Sequence, residues 1–282
     1  MPAKSWLTLA FLAGATVLAT SPAGESATAA SSQAPASAWR LTWSDEFDGP
    51  AGSAPDASRW VVETGGNGWG NNELQFYTDR RDNLRQQDGH LVIEALKETF
   101  SQGGVTRAYT SARIKTAGRF AQQYGRFEAR IKLPVGRGIW PAFWMLGDNF
   151  PATRWPACGE IDIMEHVGHQ PAVVHSNLHG PGYSGARPIS ASYTLPQGRA
   201  ADAFHLFAVE WEADVIRVYF DDTLYNTRTP ANLPAGARWV YDRPFFMLLN
   251  LAVGGNWPGS PDDSTAFPQQ MLVDYVRVYA RP

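Results

Sequence analysis

Period-two alternation of apolar and polar residues recurs along most of this 282-residue chain, and it constrains the fold more than any other feature. It marks strands at 90–98, 109–116, 124–134, 204–211, 215–222, 245–255 and 271–279. The pair 204–211 and 215–222, joined by "EAD", reads as a hairpin. No segment carries a convincing helical stripe longer than two turns. With 26 Gly and 20 Pro, the chain is supplied for many short strands and tight turns. The expected fold is all-β, a sandwich or jelly roll of two antiparallel sheets. An antiparallel sheet can give one face to the core and leave the other open. Curved, that open face is a concave groove able to hold an extended polymer.

The amino terminus reads as an address. Lys4 precedes the apolar run "WLTLAFLAGATVLA", and the following small residues contain an Ala27-Thr28-Ala29 cleavage pattern. Residues 1–29 are therefore expected to be a secretory signal peptide, and 30–38 a flexible lead-in. The apolar run is short for a membrane span, and nothing else in the chain approaches ~20 apolar residues. From Trp39 onward there is no linker or repeat, so 39–282 is expected to be one domain. Cys158 is the single cysteine; with no partner for a disulfide, and no His/Asn arrangement around it, it reads as a small buried thiol. The net charge of −3 provides no basic field for nucleic acid. Eleven Trp in a chain only 18% charged suit stacking on the flat C–H faces of sugars, although core packing is the ordinary use of any one of them.

The stretch 158–168, "CGEIDIMEHVG", places three carboxylates among strand-forming residues. Alternation sends Glu160 and Asp162 to one face and Ile161 and Ile163 to the other. In an unbroken strand Glu165 would then turn inward, where an unpaired carboxylate costs several kcal/mol or stays protonated. A bulge at Ile163–Met164 would return Glu165 to the acid face. Three acids on one face suit glycoside hydrolysis, in which a retaining mechanism needs two carboxyls about 5–5.5 Å apart. Positions in this effective register are about 13 Å apart at Cα, so the side chains must lean together. A metal site or a solvated acidic face are the rival readings.

These residues resemble the family-16 glycoside hydrolases, and among them the bacterial laminarinases (endo-1,3-β-glucanases). The similarity rests on Glu160-Ile161-Asp162-Ile163-Met164-Glu165 and on "WSDEFDG" (43–49), "GWGNNELQFYT" (68–78), "GRFEARIKLP" (125–134), "WPAFWMLG" (140–147), "LHGPGYSG" (178–185), "LNLAVGGNWPG" (249–259) and "VDYVRVY" (273–279). It covers essentially all of 40–280. The resemblance implies a β-jelly-roll and a retaining double displacement. Glu160 would be the nucleophile, Glu165 the general acid/base, and Asp162 the support for the nucleophile's orientation and protonation. The substrate implied is β-1,3-glucan, with mixed-linkage β-1,3-1,4-glucan as a second. Cleavage of another polysaccharide (agarose or galactan) on the same fold, and a non-catalytic β-glucan-binding protein, are the alternatives.

Trp140 and Trp144 lie four apart on one strand face, and Trp257 sits in a Gly/Pro-rich loop suited to presenting a ring. These are the candidate sugar platforms. His166, Asn71, Arg113 and Asn250 are candidate hydroxyl ligands, each with a structural role as the competing reading. No cofactor is expected for catalysis. The resemblance also implies a structural calcium away from the cleft, held by Glu46, the Gly89 carbonyl and Asp274. Asp274 shares strand parity with the apolar Leu272, Val276 and Val278, so a salt bridge to Arg277 or another base is the rival. The partner expected is a polysaccharide, with the mature protein a secreted monomer that engages neither nucleic acid nor membrane.

Overall fold

The computed structural model describes residues 39–282; the expected signal peptide and lead-in lie outside the described residues. Seventeen strands follow in order: β1 (Arg40–Asp45), β2 (Val61–Glu63), β3 (Gln75–Tyr77), β4 (Leu84–Gln87), β5 (His90–Gln102), β6 (Val105–Ser111), β7 (Arg113–Lys115), β8 (Gly125–Lys132), β9 (Ile139–Gly147), β10 (Glu160–Glu165), β11 (Val173–His179), β12 (Ile189–Thr194), β13 (His205–Glu212), β14 (Val215–Phe220), β15 (Thr223–Arg228), β16 (Phe245–Val253) and β17 (Gln269–Ala280). The only helical piece among the described residues is a single 3-10 turn, Pro230–Asn232. No helix there is long and apolar enough to cross a membrane.

The strands form two sheets. One has seven strands in the order β12-β11-β10-β9-β16-β7-β2. The other has ten, with β15-β14-β13-β8-β17-β5-β6-β3 as its path and β1 and β4 paired onto β17 and β5. Pairing is antiparallel apart from β3 with β6. The expected hairpin is present, with Glu212 opposite Val215 across a two-residue turn. One expectation needs correcting. The strand read over 109–116 is cut at Ala112, so that β6 stays in the ten-stranded sheet while β7 joins the other. Alternation alone does not reveal that a chain has changed sheets.

The core fills the space between the sheets. From the ten-stranded side come Leu91, Ile93, Phe127, Ile131, Phe207, Trp211, Val273, Val276 and Val278. From the seven-stranded side come Ile139, Phe143, Met145, Ile161, Ile163, Met164, Leu249 and Leu251. Burying such side chains contributes about 1.5–3 kcal/mol each. A second, smaller cluster of Leu146, Cys158, Phe246 and Leu248 anchors the segment between β9 and β10. Cys158 is thus a packing residue, and burial pushes its thiol up to about 11. Gly147 opens that segment where no side chain fits, since a Cβ there would lie 2.1 Å from the Cys158 carbonyl oxygen. The close approach delivers the chain into Glu160 at the start of β10.

Candidate active site

The bulge inferred from the acid spacing is present. Asp162 pairs with Trp144 on β9, but Met164 pairs with Phe143 and Glu165 with Ala142, leaving Ile163 as the extra residue. Ile161, Ile163 and Met164 consequently all enter the core. Glu160, Asp162 and Glu165 share the opposite face. Strand β11 lies alongside, and its own alternation turns Val174 and Leu178 into the core. His175, Asn177 and His179 are left on the acid face, opposite Glu165, Asp162 and Glu160 respectively.

Each acid has its own holder. Trp155 Nε1 donates to Glu160 Oε2 at 2.9 Å. Glu165 receives two donors, Trp140 Nε1 on Oε1 at 3.0 Å and Asn177 Nδ2 on Oε2 at 2.5 Å. His179 Nε2 stands 3.1 Å from Asp162 Oδ2 and 3.5 Å from Glu160 Oε1. Its alignment leaves Asp162 Oδ2 without a hydrogen bond. Asp162 is 3% exposed and Glu165 8%. Burial raises all three carboxyls above their usual range. Glu160 is pushed further by the charge of Asp162, and Asp162 by that of Glu165. Asp162 and Glu160 both face His179 Nε2, which brings the two carboxyls side by side. The cluster therefore holds protons at pH values where free carboxyls are ionised, as an acid catalyst requires.

Glu160, Asp162 and His179 offer ligand-type atoms within 4.8 Å of one another. A metal-bound imidazole normally donates its other nitrogen to an acceptor, whereas Nδ1 of His179 is buried without a partner. The trio fits proton chemistry better than a metal.

The expected sugar platforms lie beside the acids. Trp140 and Trp144 are half-buried on the acid face of β9. Trp257, 40% exposed, meets Trp140 edge-on at 5.7 Å and His175 at 4.9 Å. The candidate polar ligands Asn250, Arg113 and Asn71 are each committed to other side chains. Asn250 accepts from Trp144 Nε1 at 2.7 Å and donates to Tyr77. Arg113 lies between the Trp69 and Trp144 rings, 4.8 Å from each centroid, and pairs with Glu63. Asn71 donates to the buried Glu73. These three side chains brace the aromatic wall.

Two expectations are corrected. His166 is fully buried, with Nδ1 against the Val173 carbonyl at 2.8 Å, and burial pushes its imidazole down to about 4. After the bulge, the residue following Glu165 must point into the core, so His166 is not a sugar ligand. Asp274 is not on the core side. A second register shift, between Val273 and Tyr275, makes Met271, Val273, Val276 and Val278 the inward set. Asp274 faces outward and pairs with Arg130 at 2.5 Å. Glu46 accepts from Arg277 through both oxygens, at 3.0 and 2.8 Å, and Gly89 sits in the turn between β4 and β5. The donors are of the oxygen type calcium prefers, yet both acids are already compensated by arginines.

Three partners of the acids escaped the sequence reading, namely Trp155, Asn177 and His179. The period-two pattern of "VHSNLH" held the signal for the last two. Trp155 lies in an irregular segment that offers no such pattern.

A β-sandwich with two carboxyls clamped by indole and amide donors on an open sheet face, and tryptophans beside them, defines a glycoside hydrolase. The profile of the glycosyl hydrolases family 16 matches residues 70–277, and the chain belongs to this family. It is 45% identical over 249 residues to a β-glucanase of Rhodothermus marinus, covering 86% of this chain and 85% of that protein. The catalytic domain of an endo-1,3-β-glucanase (laminarinase) from Thermotoga petrophila superposes with a TM-score of 0.83 at 48% identity, covering 87% of this chain and 99% of that one. A non-specific endo-β-1,3(4)-glucanase of the family, solved with 1,3-β-D-cellobiosyl-glucose at its active site, gives a TM-score of 0.78 at 38% identity over 86% of this chain and 95% of its own.

Proposed function

We propose that this glycoside hydrolase is an endo-acting β-1,3-glucanase that also accepts mixed β-1,3-1,4 linkages and works by retaining double displacement. The observation that carries the reading is the bulged β10, with Glu160 and Glu165 on one face held by separate donors. Trp155 leaves Glu160 Oε1 free to attack the anomeric carbon, while Glu165 protonates the departing glycosidic oxygen. Asp162 and Glu160 share a proton, and its transfer to Asp162 leaves Glu160 the anion that attacks. Glu165, now ionised, takes a proton from the water that opens the glycosyl ester, and Glu160 leaves as carboxylate. The β-1,3 preference draws its support from the glucanases and laminarinases it resembles.

Product analysis on laminarin, lichenan, agarose and xylan tests the proposal. Oligosaccharides from laminarin, fewer from lichenan, and none from agarose or xylan are expected. Hydrolysis of agarose in preference would move the protein to the galactan-cleaving reading. Binding of laminarin without any product would make it a glucan-binding protein, a role for which three uncompensated acids serve no purpose.

Secretion belongs to the same proposal, supported by the Lys4 and apolar pattern and by a substrate too large to enter a cell. Amino-terminal sequencing of protein recovered from the medium should begin near Ala30. A sedimentation run at micromolar concentration should give a monomer. Calcium at Glu46, Gly89 and Asp274 would add stability and no chemistry. Since it would compete with Arg277 and Arg130, millimolar calcium should raise Tm by only about 1–3 °C, and not at all in Asp274→Ala. Activity lost on chelation of a still-folded protein would place the ion in the cleft instead.

A further inference from the structure

Three neighbouring strands converge on Glu165. The registers place Asn177 on β11 between Asp162 of β10 and Ser190 of β12. Asn177 is 6% exposed and donates from Nδ2 to Glu165 Oε2 at 2.5 Å. Ser190 Oγ donates to Asn177 Oδ1 at 2.6 Å. An amide offers donors at one end and lone pairs at the other. By occupying the oxygen end, Ser190 fixes the rotation that aims the nitrogen at the carboxyl; a flipped amide would oppose lone pairs to lone pairs. With Trp140 on Oε1, both oxygens of Glu165 receive N–H donors, a geometry that favours the ionised form.

We propose that Ser190 and Asn177 form a positioning relay that fixes the Glu165 carboxyl plane and weights it toward the base form needed to release the sugar. The inference rests on Glu165 being the acid/base. The titratable groups facing Glu165 are Asp162 and Glu160 on its own strand and His175 and His179 on β11; β9 contributes the uncharged Trp140. Burial pushes the Glu165 carboxyl up, and the Asn177 hydrogen bond is the largest influence pulling it back. Without that pull, the acid would protonate the leaving oxygen readily but surrender its own proton only at higher pH.

The test is the pH profile of kcat/KM on laminarin, whose alkaline limb reports the acid in the free enzyme. Asn177→Leu should move that limb upward by about one pH unit. Ser190→Ala should move it the same way by less, and Ser190→Thr should restore it. The acid limb should stay in place. Should Asn177→Leu fail to fold, Ser190→Ala, on the sheet-edge strand, decides alone. A uniform loss of activity with both limbs fixed would overturn the inference, and so would a Ser190→Ala profile identical to wild type. Glu165→Gln assayed alongside separates the two levels, because full turnover there would remove the acid/base reading itself.

Discussion

The ten-stranded sheet and the acid face of β10 treat their carboxylates in opposite ways, and Glu63 at the far edge of the seven-stranded sheet, paired with Arg113 and Lys115, follows the former. On the ten-stranded sheet Glu46 pairs with Arg277, Asp274 with Arg130, Glu94 with Arg85, and Glu128 and Glu210 with Arg126. On the seven-stranded sheet Glu160, Asp162 and Glu165 face no arginine or lysine within ion-pair distance, and are held by Trp155, Trp140, Asn177 and His179. A guanidinium satisfies a carboxylate by fixing it as an anion. Neutral N–H donors fix its direction while leaving its proton available. Compensated acids stabilise; uncompensated, buried acids retain chemistry at a cost in stability.

The largest expected effect lies at the nucleophile. Glu160→Gln should fold, bind laminarin and lose hydrolysis by about 10^4-fold or more, since an amide does not form the glycosyl ester. Substantial turnover in a verified sample would exclude Glu160. Next, the bulge can be removed. Deleting Met164 leaves Glu160, Asp162 and Glu165 in unbroken alternation, whereas deleting Ile161 puts Glu160 out of phase with the other two. Measurable activity is expected from the first and none from the second. Met164 is wholly buried, so its loss should cost a few kcal/mol, and circular dichroism must show both variants folded. Equal activity in the two would refute the single-face account.

The two bulges also show what was legible in the sequence. On β10 the spacing of acids betrayed the extra residue, because burying Glu165 was the unacceptable alternative. On β17, ignoring the bulge also turns a carboxylate, Asp274, inward, but a cation or an arginine offers to absorb that cost, and aliphatic and aromatic residues occur on both faces of "VDYVRVY". A bulge is legible only when ignoring it buries something costly that nothing else compensates. His166 shows the reverse case: adjacency to Glu165 suggests a sugar ligand, while strand parity turns its side chain inward. The acid face itself, the tryptophans of β9 and the sandwich were all readable from alternation. The commitment of Asn250, Arg113 and Asn71 to other side chains was not, since Asn250 finds Tyr77 173 residues away.

Trp155 offers a finer probe of the uncompensated set. It is 41% exposed and contacts Glu160 through its indole N–H alone among its polar atoms. Trp155→Phe keeps a ring and removes the donor. A loss of about tenfold in kcat is expected, from a hydrogen bond to a charged group worth roughly 1.5 kcal/mol. A change confined to KM would make Trp155 a sugar platform and not an orienter of the nucleophile.

The smallest effects test the comparison most directly, because their signs differ. Burial and the neighbouring Glu165 hold Asp162 well above its usual value. A carboxyl raised on folding contributes most favourably below its unfolded value near 4, and that contribution is lost as pH rises through the folded value. Asp162→Asn should therefore be more stable than wild type at pH 7, by about 1 kcal/mol, with the gain vanishing toward pH 4. Arg277 holds Glu46 below its usual value. Its stabilisation is present above the unfolded value and is lost as pH falls through the folded one. Glu46→Gln should therefore be less stable at pH 7 and indistinguishable in acid. That loss should stay under about 1 kcal/mol, because the Glu46 side chain is 38% exposed and water screens the pair. Paired Tm measurements at pH 7 and pH 4 read both variants. If the two shifts carry the same sign at pH 7, the contrast between compensated and uncompensated acids does not govern the stability of this fold.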